Sequence, residues 1–224
     1  MLSDWPASNP RLVQLLPGAL TPPSSSNAGT DMYQIFLGKI SSLSAGPTAS
    51  VLKDRAPLGA RRAGWLAGRV MLASVISPLP EIVVGQHGKP AFSTDVRLWF
   101  NLSHSGDDIA LLLSDEGDVG CDIEVLRPRA GWRSLAENLF SAQEQAQIAA
   151  EAPDQQLAAF WRIWTLKEAI IKQRGPSAWQ MACIDSTAPT TLSVSTLQAG
   201  ELALAVCTPT PFVLTVAAVQ IQGR

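Results

Sequence analysis

The sequence contains few cysteines and histidines and carries no excess of positive charge. Its three cysteines are odd in number and far apart, which predicts reduced thiols and argues against a disulfide framework. The cysteines and the two histidines show no zinc-ligand spacing. The formal net charge of −2 provides no field that would attract nucleic acid or an anionic membrane. These scarcities argue against a secreted disulfide-rich protein, a zinc protein and a nucleic-acid-binding protein.

Long apolar runs are also missing. No uninterrupted run of about 18 apolar residues is present, so no transmembrane helix is predicted. The start of the chain lacks the basic segment and apolar stretch of a secretory signal, so we expect a cytoplasmic protein. The composition is nevertheless 46% hydrophobic with seven tryptophans, which is enough to form a buried core.

The chain divides by composition into an arm and two halves. Residues 1–30 are rich in proline, serine and other loop-forming residues, which predicts a loop-rich N-terminal arm. The remainder is predicted to form two α+β halves of similar size, residues 31–116 and residues 117–224. We therefore expect an α+β fold, without a strict sequence repeat.

Alternating and helical patterns locate the elements of each half. The first half is predicted to contain a helix over 61–76 and strands over 32–40, 98–103 and 109–114. The second half is predicted to contain helices over 141–150 and 155–174 and strands over 119–126, 192–194, 201–207 and 212–221. The turn-forming residues 115–118 are predicted to join the strands on either side into a hairpin.

Two carboxylates stand two positions apart in the predicted strand 119–126. Strand alternation places Asp122 and Glu124 on one face and apolar residues on the other. At about 6 Å and an effective dielectric constant near 20, their mutual repulsion is about 2–3 kcal/mol. Solvent, a raised pKa or a divalent cation would relieve this repulsion. A solvated strand face is the favoured explanation for such a pair on its own, so the pair alone does not identify a metal site.

Two further pairs of polar residues have ordinary structural explanations. Glu168 and Lys172 have the i,i+4 spacing of a helical ion pair on the predicted helix 155–174. Ser141 and Glu144 have the spacing of a capping box, and we interpret them as one.

The segment Asn-Leu-Ser-His-Ser-Gly at 101–106 places hydroxyls, an imidazole and a glycine at a strand end, which suits contacts to phosphate. A serine hydrolase is a poor alternative for this segment. The chain has no Gly-x-Ser-x-Gly motif, and adjacent Ser103 and His104 lack the separation of a catalytic triad.

Five segments in this order resemble those of the 4′-phosphopantetheinyl transferases: Gly88-Lys89-Pro90, 101–106, 120–124, Phe140-Ser141-x-x-Glu144 and 164–169. The match spans about residues 85–175 and resembles the longer, surfactin-synthetase-activating subgroup. The resemblance implies a pseudo-twofold fold of two similar halves with a coenzyme A cleft between them. Because one chain would supply both sides of that cleft, we expect a monomer.

The resemblance also implies a role for individual residues. Asp122, Glu124 and Glu168 resemble the acidic residues that hold Mg²⁺ together with the pyrophosphate of coenzyme A. Lys172 resembles the lysine that contacts this pyrophosphate. Lys167 is a further catalytic candidate, and Glu168 also resembles the proposed general base.

The remaining implied contacts are with the nucleotide part of coenzyme A. Lys89 and Pro90 resemble the loop on the adenine side, and Ser103 and His104 match positions that contact phosphates. Arg62 is the candidate for a phosphate-binding arginine, although it is slightly out of register with the subgroup. The segment 174–179 departs from the family pattern, which leaves substrate preference open.

The implied reaction is transfer of 4′-phosphopantetheine from coenzyme A to a serine of an apo acyl, peptidyl or aryl carrier protein, with release of 3′,5′-ADP. Such carriers serve fatty acid, polyketide or nonribosomal peptide synthesis. Two alternatives stay open, namely a Mg²⁺-dependent phosphohydrolase of coenzyme A or a nucleotide, and a non-enzymatic nucleotide-binding module.

Overall fold

The computed structural model describes residues 32–85, 88–175 and 178–223. The predicted N-terminal arm over 1–30 lies outside these residues. The described chain is a mixed α/β structure, which agrees with the predicted fold class at this level. None of its described helices is long and apolar enough to span a membrane.

The first sheet has four strands in the order β4-β5-β1-β9. Its antiparallel strands are β1 (Tyr33–Lys39), β4 (Trp99–Ser105) and β5 (Asp108–Ser114), and the short β9 (Val219–Ile221) pairs parallel to β1. Three helices belong to this half of the chain: α1 (Ile40–Ala45), α2 (Pro47–Leu52) and α3 (Arg62–Val75). A separate hairpin pairs β2 (Ile82–Val84) with β3 (Pro90–Phe92).

The second sheet has three antiparallel strands in the order β6-β8-β7. They are β6 (Gly120–Val125), β7 (Ser193–Ala199) and β8 (Leu202–Thr208). Its helices are α4 (Trp132–Leu139), α5 (Ala142–Ala150) and the long α6 (Gln156–Arg174). Three short 3₁₀ helices complete the described elements: Lys53–Arg55, Ala178–Cys183 and Val216–Ala218.

The two sheets share a central apolar core, and strand alternation explains how. Ile35 of β1 and Leu112 of β5 face the second sheet, where they join Ile123 of β6. The next residue of β1, Phe36, points the opposite way and packs with Leu72 of α3. Helix α6 covers the other face of the second sheet in a third apolar cluster. The sheets therefore lie between two layers of helices.

Most of the predicted elements are confirmed with small shifts at their ends, although the strand predicted over 192–194 extends over Ser193–Ala199. One predicted connection is wrong. Residues 115–118 do not form a hairpin turn between β5 and β6, because both edges of β5 are occupied by β1 and β4 and β6 pairs with β8. The hairpin partner of β5 is β4, across a turn at Gly106, whose φ of 59° suits glycine. The predicted strand 212–221 is also too long, since only Val219–Ile221 pairs.

Candidate active site

The edge of β6 that faces away from β8 is docked onto side chains of β4. Backbone N–H groups of alternate β6 residues donate to polar side chains of alternate β4 residues. The pairs are Cys121 to Asn101 Oδ1 at 2.8 Å, Ile123 to Ser103 Oγ at 3.4 Å and Val125 to Ser105 Oγ at 3.2 Å. These bonds satisfy a strand edge that would otherwise be buried without partners. They also bring the polar face of β6 against the polar residues of β4.

Asp122 is buried at the centre of this contact, with 4% of its surface exposed. Its Oδ1 accepts hydrogen bonds from Ser103 Oγ at 2.7 Å and from Lys172 Nζ at 2.6 Å. Its Oδ2 is buried without a hydrogen-bond partner among the described residues. An unsatisfied buried carboxylate oxygen is costly, so Oδ2 has the chemistry of an unused ligand atom. The solvated strand face considered above is therefore wrong for Asp122.

Glu124 and Glu168 are half-buried, and both lie close enough to Asp122 for its charge to affect their pKa values. Burial raises the pKa of Glu124, and the charge of Asp122 adds to this rise while the hydrogen bond from Ser105 opposes it. Burial also raises the pKa of Glu168, and the charges of Asp122 and Glu124 raise it further. The three carboxylates thus form one electrostatic cluster on β6 and α6.

Lys172 supplies positive charge to this cluster. Its ammonium group reaches across from α6 to Asp122 and also donates to Ser103 Oγ at 2.8 Å. Burial opposes the charge on Lys172, but its attraction to Asp122 and the hydrogen bond that it donates to this carboxylate outweigh burial and raise its pKa. Lys172 therefore pairs with a strand residue rather than forming the simple helical i,i+4 pair with Glu168.

The close approach of α6 to β6 depends on Gly120. A Cβ atom at this position would overlap the backbone carbonyl of Ala169 and the backbone nitrogen of Gln173. Only glycine leaves room for the helix backbone at this distance. This approach places Glu168 and Lys172 of α6 beside Asp122, which lies on β6 as Gly120 does.

The cluster does not form a closed metal cage in this arrangement. Among the described residues, no group of three or more His, Cys, Asp and Glu side chains is arranged to hold a metal ion. The oxygen donors present nevertheless fit a hard divalent cation, because Asp122 Oδ2 has no other partner and two more carboxylates lie nearby. An ion here would need additional oxygen ligands from outside the protein.

Comparisons with known proteins identify the family of this chain. A family model described as "4′-phosphopantetheinyl transferase superfamily" matches residues 118–217, which contain the three carboxylates and Lys172. The 4′-phosphopantetheinyl transferase AcpT of Salmonella typhimurium is 67% identical over 184 residues, which cover 82% of this chain and 96% of that protein. The AcpT of Escherichia coli K12 is 63% identical over 189 residues, which cover 84% and 97%.

The chain belongs to the 4′-phosphopantetheinyl transferase superfamily. The resemblance inferred from the five segments is thereby confirmed, and identity at this level over most of the chain shows that the protein is an enzyme of this kind. A more distant relative, a 4′-phosphopantetheinyl transferase of Bacillus subtilis, is 38% identical over 92 residues, or 41% of this chain and 40% of that protein.

Lys167 does not lie with the other site candidates of this transferase. Its side chain is fully buried, and its ammonium group donates to Glu144 Oε2 at 2.6 Å and to the carbonyl of Leu139 at 2.8 Å. Glu144 is equally buried and also accepts from the backbone N–H groups of Ser141 and Ser186, each at 2.7 Å. The predicted capping box of α5 is confirmed, and Lys167 extends it into a buried ion pair.

We expect Lys167→Met to lower the free energy of unfolding by about 3–5 kcal/mol, because it leaves the charge of Glu144 buried without its cation. Urea unfolding followed by tryptophan fluorescence measures this loss. The double variant Lys167→Met/Glu144→Gln removes both charges and should recover part of it. A Lys167→Met chain of normal stability that transfers no group would instead support the catalytic role that the resemblance implies.

Ser103 of the first half binds Asp122, whereas the other candidates from this half make different contacts. Lys89 Nζ pairs with Asp118 Oδ1 and donates to the carbonyl of Val119, both at 3.2 Å, and Pro90 begins β3. His104 is exposed beside the start of α3, where its ring lies 3.7 Å from the position of a Cβ atom at Gly64.

Arg62 is engaged with backbone groups near the start of α3. Its guanidinium donates to the carbonyls of Lys53 at 2.6 Å and Ala56 at 3.4 Å. These carbonyls belong to the first residue of the 3₁₀ helix Lys53–Arg55 and to the residue that follows it, so Arg62 would reach a phosphate only by giving up these bonds.

Sequence reasoning missed the importance of Ser105 and Gly120 in this transferase. Ser105 donates to Glu124 Oε2 at 2.6 Å, and Gly120 permits the contact of α6 with β6. The available indication for Ser105 was the alternation of Asn101, Ser103 and Ser105 in one strand, which places three polar side chains on a single face.

Proposed function

We propose that this transferase moves the 4′-phosphopantetheine group of coenzyme A to a serine of an apo carrier protein, in a Mg²⁺-dependent reaction that releases 3′,5′-ADP. The observation that carries this proposal is the buried Asp122, whose Oδ2 finds no partner in the described part of the chain while Lys172 binds its Oδ1. A site with one unused carboxylate oxygen, two neighbouring acids and a lysine suits a cation and a pyrophosphate together.

Asp122, Glu124 and Glu168 would hold the Mg²⁺ ion. The ion would supply positive charge that stabilises the charge developing on the phosphate groups. Mg²⁺ commonly binds a few carboxylates together with substrate phosphates and water. This preference accounts for a carboxylate cluster that does not close into a cage by itself.

Two side chains of α6 would act on the reacting groups. Lys172 would bind the pyrophosphate, because its ammonium group already lies at Asp122 together with the Ser103 hydroxyl. Glu168 would accept the proton of the carrier serine, directly or through water. Burial raises the pKa of its carboxyl group above the usual range. The serine oxygen then bonds to the β-phosphorus, the bond from that phosphorus to the departing nucleotide breaks, and 3′,5′-ADP leaves.

We propose that coenzyme A occupies a cleft between two similar halves, residues 31–116 and 117–224. The sheets support such halves, because both contain the same arrangement of three strands. In each, the second strand of a hairpin (β4-β5 or β7-β8) also pairs with a strand from earlier in the chain (β1 or β6). The strand β9 is an exception to this division, because it belongs to the second half by sequence but pairs with β1 in the first sheet. One chain then supplies both sides of the cleft, so we propose a monomer of the surfactin-synthetase-activating subgroup.

The nucleotide part of coenzyme A would contact the first half. Lys89 and Pro90 would lie on the adenine side, and His104 would contact a phosphate at the start of α3. Helix N-termini favour anions, and His104 is exposed at this point. Arg62 would join this contact if its guanidinium left the carbonyls that it now caps.

Intact mass spectrometry tests the proposed function directly. The protein is incubated with coenzyme A, Mg²⁺ and apo carrier proteins from fatty acid, polyketide and nonribosomal peptide synthesis. We expect at least one carrier to gain the mass of a single phosphopantetheine group, and chelation of Mg²⁺ to abolish this gain. Breakdown of coenzyme A without any modified carrier would favour the phosphohydrolase alternative. Tight coenzyme A binding with neither reaction would favour a nucleotide-binding module.

We expect His104→Ala to weaken the binding of coenzyme A by about tenfold, the loss of one hydrogen bond to a charged group, without changing the fold. Calorimetric titration with coenzyme A and with dephospho-coenzyme A measures the contact. Because the second ligand lacks the 3′-phosphate, the variant should bind it almost as well as the wild type does. An equal loss with both ligands would show that His104 does not contact the 3′-phosphate.

A further inference from the structure

Ser105 links two features of the candidate site. Its hydroxyl donates to Glu124 Oε2 at 2.6 Å and accepts the backbone N–H of Val125 at 3.2 Å. Ser105 is 6% exposed, so both bonds are buried on the serine side, while Glu124 itself is half-buried. The hydroxyl therefore holds the Glu124 carboxylate and the β6 backbone next to it in one fixed arrangement.

The second half contains a comparison for this arrangement within the same molecule. Ser193 and Ser195 of β7 accept the backbone N–H groups of Phe212 at 3.3 Å and Leu214 at 2.9 Å. The two serines therefore dock a chain segment against the face of a strand, as Ser103 and Ser105 do for β6. Within the described residues, however, neither of these hydroxyls donates to a carboxylate. Docking alone thus requires only the acceptor function of the serine.

We propose that Ser105 is a positioning residue of the transferase, whose hydroxyl orients the Glu124 carboxylate for the divalent cation. This inference depends on the proposed function, because it assumes that Glu124 binds the ion. Oε2 is held by Ser105, while Oε1 makes no hydrogen bond to another described residue. One oxygen is thus fixed and the other is left for a ligand.

Such an arrangement affects metal binding through geometry. Mg²⁺ demands nearly ideal octahedral coordination and tolerates misplaced ligands poorly. A carboxylate that rotates freely must be ordered when the ion binds, whereas one held by a buried hydroxyl is already oriented. Loss of the Ser105 hydroxyl should therefore reduce the affinity for the ion more than it reduces the stability of the fold.

The experiment compares Ser105→Ala with the matched variant Ser195→Ala. Each removes one hydroxyl that accepts a backbone N–H group of a docked segment, but only the first removes a bond to a carboxylate. Mg²⁺ is titrated calorimetrically into each protein saturated with coenzyme A and without carrier. We expect Ser105→Ala to weaken Mg²⁺ binding by about 10–100-fold and Ser195→Ala to leave it unchanged. Both should shift the urea midpoint by similar amounts.

The variant Ser105→Thr restores the hydroxyl and separates the positioning role from packing. We expect it to recover most of the Mg²⁺ affinity lost in Ser105→Ala. Wild-type Mg²⁺ affinity in Ser105→Ala, or an equal loss in Ser195→Ala, would overturn the inference while leaving the proposed function intact. A wild-type protein that modifies no carrier at all would overturn the proposed function and this inference with it.

Discussion

Asp122→Asn is expected to reduce carrier modification by at least about 100-fold at saturating coenzyme A, while the protein stays folded. The substitution keeps a group that accepts from Ser103, but it removes the negative charge that faces Lys172 and that would bind the cation. The unused oxygen Oδ2 is the atom most directly affected. Initial rates of carrier modification over a series of Mg²⁺ concentrations measure the loss.

A control must separate the loss of a metal ligand from the loss of a buried ion pair. Asp108→Asn is suitable, because Asp108 is also a buried strand residue and pairs with Lys39 at 2.7 Å, much as Asp122 pairs with Lys172 at 2.6 Å. It should lower stability to a similar extent and retain turnover. Near-normal turnover of Asp122→Asn at saturating Mg²⁺ would contradict the metal role of Asp122.

The structure also changes what Asp122→Asn should do to stability. From the sequence, neutralising one of two adjacent acids is expected to relieve repulsion. In the structure Asp122 already has Lys172 as its partner, so the variant leaves a half-buried lysine without its carboxylate. A small loss of stability is therefore expected rather than a gain.

Strand alternation was sufficient to place Asp122 and Glu124 on one face of β6, opposite the apolar residues that join the central core. It could not predict the burial of that face. Burial arises because the edge of β6 docks onto β4, about twenty residues earlier in the chain. Contacts of this kind depend on how two sheets pack, which a local pattern does not contain.

The same limit explains the error in the predicted hairpin and the unpredicted burial of Lys167. Residues 115–118 have turn chemistry, but local chemistry does not determine which strand pairs with which. Lysine is rarely buried, and the position of Lys167 beside Glu168 in the sequence does not indicate that its side chain is enclosed. Its burial requires Glu144 from a different helix, which the helical pattern of α6 alone cannot indicate.

Gly120→Ala is expected to lower the free energy of unfolding by more than about 4 kcal/mol, or to prevent folding altogether. The new methyl group would overlap the backbone of α6 at Ala169 and Gln173, and the Cα atom of Gln173 would lie only 3.0 Å away. Backbone atoms within a helix cannot rotate aside as a side chain can. The clash must therefore separate α6 from β6, which moves Glu168 and Lys172 away from Asp122 and removes transfer along with stability.

Gly64→Ala provides the matched control, because it adds the same methyl group near another part of the proposed site. Its Cβ atom would lie 3.7 Å from the His104 ring, an ordinary contact, and Gly64 lies within helix α3. Replacing a helical glycine by alanine favours the helix by up to about 1 kcal/mol, so this variant should be as stable as the wild type or more so. Urea unfolding and carrier modification are measured for both variants. A Gly120→Ala protein with the stability of Gly64→Ala would show that α6 does not approach β6 as closely as this structure has it, and the contact of Lys172 with Asp122 would then lose its structural basis.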